Sequence, residues 1–166
     1  MLFRSRFDAV FASPMKRVQA TLAPLRPALA VEPLVVDDLR EVDFGDWTGL
    51  GWEEVRDRFG ISAYDWLQIL ERRRFPNGES GAELRLRLER VLDQVLKARP
   101  GGNVAVFAHG GVIRMLLMLL LELPLVASER FEVDYGSVSW IDVGEMKAGR
   151  KRTEIQLLNF TPWRDL

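Results

Sequence analysis

Apolar residues recur along this chain at two spacings, and the alternation between them predicts the order of its elements. From Ser80 onward, Leu84, Leu88, Val91, Leu92, Val95 and Leu96 fall on one face of a helix. Ser80 and Glu83 have the spacing of a capping box at its start, and Pro100-Gly101-Gly102 stops it. Asn103 to Ala108 follows as a short apolar run, read as a buried strand. His109-Gly110-Gly111 is a tight turn, and Val112 to Leu121 is an apolar helix. Upstream, Val10-Phe11-Ala12 reads as a strand. Ser13-Pro14 reads as the cap and first position of a helix that Pro24 and Pro27 end. Leu34-Val35-Val36 is a second strand. Gly45, Gly49 and Gly51 break a loop before a short helix over Trp52–Phe59, and another helix is expected over Ala63–Arg73. Phe75-Pro76-Asn77-Gly78 is a turn. Val138–Val143 and Thr153–Leu158 read as strands joined by the polar loop Gly144–Arg152.

Strands alternating with helices imply an α/β fold. The expected architecture is a three-layer sandwich: a mostly parallel sheet, helices on both faces and a C-terminal antiparallel hairpin at the edge. At 166 residues the chain is expected to form one domain. The apolar window Val112–Leu121 contains Arg114 and falls short of the roughly 20 apolar residues that span a bilayer, so a buried helix is expected there. No secretory signal is visible, and a cytoplasmic location is expected.

Composition removes whole classes of chemistry. Lys and Arg number 23 against 24 Asp and Glu, a net charge of −1 that gives no general pull toward nucleic acid or anionic membrane. The five tryptophans are scattered, with no basic patch interleaved to support base stacking. Cysteine is absent, which excludes disulfides, thiolate metal sites and thiol catalysis. His109 is the single histidine, so no metal site is built from several. Acidic charge is concentrated between residues 31 and 60, where nine carboxylates face three arginines.

Three segments carry candidate chemistry. In Val104–Arg114 a strand ends, two glycines turn the chain and a helix begins. That places His109 at the carboxyl edge of the sheet beside helix N–H groups able to hold an anion. Gly110 allows close approach of a phosphate. In Phe11–Arg17 another strand runs into a helix, and Arg17 in its first turn can reach the same edge with a planar donor fork. In Leu39–Gly49, carboxylates lie among aromatic rings, where one could be held protonated as a general acid. These residues alone do not select among Glu41, Asp43 and Asp46. Gly78-Glu79-Ser80-Gly81-Ala82 misses the nucleophile-elbow pattern by its last residue, and Ser80 is better read as a cap than as a hydrolase nucleophile acting with His109.

In this order, the segments resemble the histidine phosphatase superfamily, with its phosphoglycerate-mutase-like fold. Asp8-x-x-x-Ala12-Ser13-Pro14-Met15-x-Arg17 and Leu39-Arg40-Glu41-x-x-Phe44-Gly45-x-Trp47-x-Gly49 look like two of the family's motifs. Pro76-Asn77-Gly78-Glu79-Ser80 and Ala108-His109-Gly110-Gly111-Val112-Ile113-Arg114 look like two more. The resemblance runs from residue 8 to about residue 141 and is nearer to small cobalamin-pathway and broad-specificity phosphatases than to mutases. It implies two-step phosphoryl transfer on a small phosphorylated metabolite, with no metal or other cofactor and no nucleic-acid or membrane partner. Arg17 and His109 are implied to bind phosphate, and Glu41 to protonate the leaving oxygen.

One departure is large. The family's opening strand ends in Arg-His-Gly and supplies the nucleophile, whereas this sequence contains no such motif. The expectation is therefore a chain lacking an N-terminal strand–helix unit on the order of 30 residues, with residues 1–6 a tail foreign to the domain. Leu2-Phe3-Arg4-Ser5 is also what the end of a common sequencing adapter encodes. As written, the chain is expected to be inactive. The alternative is a non-catalytic phospholigand-binding module of the same fold.

Overall fold

The computed structural model describes residues 6–62, 65–72, 74–145, 151–162 and 164. Three parallel strands form one sheet: β1 (Ala9–Ala12), β2 (Leu34–Val35) and β3 (Val104–Phe107), in the order β2-β1-β3. Phe11 pairs with Leu34 on one side and Val106 on the other. All three strands therefore end at the same edge, where the connections that follow them gather.

Alternation along the strands puts side chains on two faces, and helices cover both. Val10 and Ala12 of β1, with Ala105 and Phe107 of β3, pack against Val18 and Leu22 of α1 (Lys16–Leu22). Phe11, Val104 and Val106 face the larger core, built from Leu84, Leu88 and Val91 of α4 (Gly81–Ala98) and Val112, Met115 and Met118 of α5 (Gly110–Leu121). The helix pattern of α4 and its capping box are both present: Ser80 Oγ accepts from Glu83 N–H, and Glu83 Oε2 accepts from Ser80 N–H. Among the described residues no helix is long and apolar enough to cross a membrane.

Between the strands, α2 (Trp52–Phe59) occupies the expected residues and ends at Gly60, whose φ of 69° suits a left-handed cap. α3 (Trp66–Arg72) is shorter than expected; Ala63, Tyr64 and Arg73 lie outside the described residues. The carboxylate of Glu71 on α3 accepts from the N–H groups of Leu125 and Val126, tying α3 to the two-turn 3-10 helix after α5 (Leu125–Arg130). The C-terminal hairpin pairs β4 (Val138–Glu145) with β5 (Lys151–Phe160) antiparallel as a two-stranded sheet of its own. The middle of its expected loop, 146–150, lies outside the described residues, as do residues 1–5 of the expected foreign tail.

Three local expectations are corrected. Ser13 does not cap α1: the helix starts at Lys16 with Met15 in the cap position, because the Ser13 hydroxyl is engaged elsewhere. Leu96 is exposed at the last turn of α4, where the helix runs past the core. β3 is half-buried along its whole length rather than buried. Among the described residues it is an edge strand that pairs only with β1.

Candidate active site

The carboxyl edge of the parallel sheet gathers residues far apart in sequence. β3 ends at Phe107, and His109 caps α5 from an extended backbone conformation, so its ring stands at the sheet edge. β1 ends at Ala12, and the next turn delivers Ser13 and Arg17 to the same place. Arg17 Nε donates to His109 Nδ1 at 3.0 Å, while His109 Nε2 lies 2.8 Å from Ser13 Oγ. A guanidinium can only donate, so Nδ1 is the acceptor, and the ring proton sits on Nε2 and points to the serine oxygen. Ser13 Oγ also accepts from Met15 N–H at 3.3 Å.

His109 is buried, and its pKa is lowered to about 4. Loss of hydration is the main cause, followed by the positive charges of Arg17 and Arg87. At neutral pH the ring is uncharged.

Glu41 enters from the loop after a single helical turn at Asp37–Leu39. Its carboxylate accepts from its neighbour Val42 N–H at 3.0 Å and from Gly111 N–H of α5 at 3.4 Å. The close fit depends on Gly111: a Cβ there would lie 2.8 Å from Glu41 Oε1 and 2.7 Å from Val42 Cγ2. Desolvation raises the Glu41 pKa above its ordinary value. The backbone N–H groups of Val42, Gly111 and Val112 and the charge of Arg17 oppose that rise without cancelling it. Asp43 and Asp46, left open by the sequence, go elsewhere and are exposed: Asp43 bonds Gly45 N–H, and Asp46 bonds the Asn77 side chain.

Gly110 opens the N-terminus of α5, and a Cβ added there would meet nothing within 4 Å. The first turn of α5 thus has open space on its Cβ side, beside N–H groups that carry the helix's partial positive charge. Of the residues singled out in the sequence, Arg17, Glu41, His109 and Gly110 meet at this edge. Ser80 does not join them; its hydroxyl is bonded to Glu83. Among the described residues, no group of three or more His, Cys, Asp or Glu is arranged to hold a metal ion.

Sequence reasoning missed Ser13 and Arg87. Ser13 is fully buried beside His109, yet Ser-Pro before a helix is also the ordinary signature of a cap. Arg87 lies on the polar face of α4, where nothing in the periodicity distinguishes it. A separate cleft of about 350 Å³, bordered by Asp8, Val31 and Arg99, lies at the opposite, amino end of the strands. It contains none of these groups.

The sequence profile of the histidine phosphatase superfamily (branch 1) matches residues 1–157. A bifunctional protein of Mycobacterium tuberculosis is 35% identical over 136 residues, which cover 82% of this chain but 37% of that protein. The chain thus spans little more than a third of the length of the first curated relatives it matches. Phosphoserine phosphatase 1 of Hydrogenobacter thermophilus is 29% identical over 160 residues, covering 96% of this chain and 74% of the relative. Among solved structures, a mycobacterial glucosyl-3-phosphoglycerate phosphatase bound to inorganic phosphate superposes with a TM-score of 0.79 at 22% identity, over 93% of this chain and 78% of that one. That last likeness is one of fold. Sequence profile, relatives and fold agree across most of the chain, which belongs to the histidine phosphatase superfamily, branch 1.

Proposed function

We propose that this chain comes from a metal-independent phosphomonoesterase that works through a phosphohistidine intermediate and acts on a small phosphorylated metabolite. The observation that carries the reading is the convergence of Arg17, His109 and Glu41 at one sheet edge, beside the N-terminus of α5. Arg17 and His109 bind the phosphoryl oxygens, with the Gly110 N–H available to a third. A phosphate takes over the Arg17 Nε donor now spent on His109 and replaces a neutral acceptor by a charged one. These donors stabilise the transferring group electrostatically.

The nucleophile comes from a strand preceding residue 8 that pairs with the open edge of β3. Two features support this: the half-buried apolar run Val104–Phe107, unpaired on one side among the described residues, and the incomplete coverage of the relatives. In the first step the histidine nitrogen bonds to phosphorus, the ester P–O bond breaks and the leaving oxygen takes the Glu41 proton. In the second step water attacks phosphorus and gives Glu41 its proton, and the P–N bond breaks to release phosphate.

The test is to express the gene product from its natural start and assay a phosphomonoester with and without a chelator. Turnover indifferent to the chelator, with an acid-labile phosphoenzyme trapped on quenching, is the expected result. A natural start at Met1, with phosphate bound but no ester cleaved, assigns the chain instead as a phospholigand-binding module.

A further inference from the structure

Arg87 occupies an unusual position for a residue on the polar face of an amphipathic helix. Its side chain is 14% exposed and that of its partner Glu79 12%. Each of its five N–H groups has an acceptor. Nε reaches Glu79 Oε1 at 2.6 Å, and Nη2 reaches Glu79 Oε2 at 2.9 Å. The other three go to backbone carbonyls of a single loop: Asp38 at 2.5 Å, Arg40 at 3.0 Å and Glu41 at 3.3 Å. Glu79 holds the far side of the same loop. Its Oε2 accepts from Asp43 N–H at 3.3 Å, and its own N–H donates to Asp43 O at 2.8 Å. Together the pair grips the backbone before, at and after Glu41.

We infer that Arg87, oriented by Glu79, is the positioning residue for the Glu41 carboxyl; the assignment rests on Glu41 being the acid of the proposed reaction. Holding α4 in place does not require it, because Leu84, Leu88 and Val91 already bury the helix's other face. What the ion pair adds is direction. Three carbonyls within four residues converge on one point, and a planar fork can satisfy them where an ammonium, with three donors on a flexible stem, cannot. The tolerance at the other end is small, since Glu41 lies against Gly111 with no room for a methyl group. A loop displaced by an ångström loses that contact and admits water to the carboxyl.

Two readouts test the inference in R87K, R87M and the milder E79Q. The first follows Glu41 by carbon-detected NMR titration of this 166-residue chain, its signal assigned by loss in E41Q. The wild-type carboxyl is expected to titrate above the ordinary range. In all three variants its midpoint is expected to fall back toward an ordinary glutamate, with the amide spectrum of α4 unchanged. The second compares an alkyl phosphate with nitrophenyl phosphate on the natural gene product. In the variants kcat for the alkyl ester is expected to fall about tenfold or more relative to nitrophenyl phosphate, with KM little changed.

A midpoint that stays at its wild-type position in E79Q and R87K overturns the inference, as does R87K restoring wild-type behaviour by charge alone. If E41Q itself leaves the ratio of the two esters unchanged, the acid role of Glu41 is what fails, and the titration decides on the clamp by itself.

Discussion

Arg17 and His109, 92 residues apart, are joined by a 3.0 Å hydrogen bond from the guanidinium Nε to the ring Nδ1. Burial is the main reason the ring stays neutral, and the bond adds to it by placing a permanent positive charge against the imidazole. Since His109 is the only histidine, its ring Cε1–H gives a single, unambiguous NMR signal. That signal is expected to titrate with a midpoint near 4. Arg17→Met removes the second-largest cause of the depression and should raise the midpoint. Saturation with inorganic phosphate should raise it further, because an anion favours the imidazolium.

The same depression has a consequence for folding. Between the ordinary histidine range and about 4, the unfolded chain binds a proton at His109 that the folded chain does not. Its contribution to stability is therefore full above pH 6.5 and is lost as pH falls through this window. His109→Gln should flatten that part of the stability profile measured by urea unfolding at stepped pH.

Glu41 behaves in the opposite sense. Its raised pKa means the folded state holds its proton more tightly than the unfolded state does. The corresponding stability is present below the ordinary glutamate range and is lost as pH rises through the folded value. Glu41→Gln removes the cost of the buried charge and should raise the melting temperature at pH 7. The difference from wild type should shrink below pH 4.5, which thermal melts at both pH values will show. On the active gene product the same substitution should slow alkyl esters by roughly 10²-fold or more while sparing activated aryl esters; equal losses on both remove Glu41 from the acid role.

Two glycines with left-handed backbones should respond differently to alanine. Gly60, at φ 69°, has nothing within 4 Å of an added Cβ, so its replacement costs only the conformational strain, about 1–2 kcal/mol. Gly45, at φ 53°, would place a Cβ 2.1 Å from the Pro76 carbonyl oxygen and 2.5 Å from Gly78 N. Gly45→Ala should therefore destabilise by more than about 3 kcal/mol or prevent folding. Equal urea midpoints for the two variants would contradict the close approach at Gly45.

Elements that announce themselves locally were legible in the sequence. The Ser80–Glu83 box and the 84/88/91 spacing locate α4, and the glycines around Trp52–Phe59 bound α2. His109 was legible because a strand, two glycines and a helix leave only one place for it. The interior of the site was harder to read. Ser13 satisfies the local rule for a helix cap, and only the arrival of β3 alongside β1 gives its hydroxyl a better partner. Glu41, Asp43 and Asp46 are equivalent by composition; the family resemblance points to Glu41, but the physical difference between them arises only when α5 offers its N-terminus to one of them. Arg87 looks like any solvated arginine until the loop from Asp38 to Asp43 folds over it. The half-burial of β3 was invisible for a related reason: an apolar run reveals that a strand is sticky, not how many neighbours it has.

The contact between Gly45 and Gly78 also bears on how this architecture can vary. Asp46 N–H bonds to Pro76 O, and Glu79 N–H bonds to Asp43 O, so the chain leaves residues 43–46 and returns to them at 76–79. Everything between is a lasso whose neck is sealed by two side-chain-free positions. Its contents are only partly free: Leu67 and Leu70 are buried in the core and Glu71 bonds Leu125 and Val126, whereas the exposed face of α2 can change without transmitting strain to Glu41 or to α4, provided the neck closes. A grafting experiment that exchanges only the exposed face of α2 between relatives should therefore leave the fold around Glu41 intact, whereas one that also replaces Leu67, Leu70 or Glu71 should destabilise it.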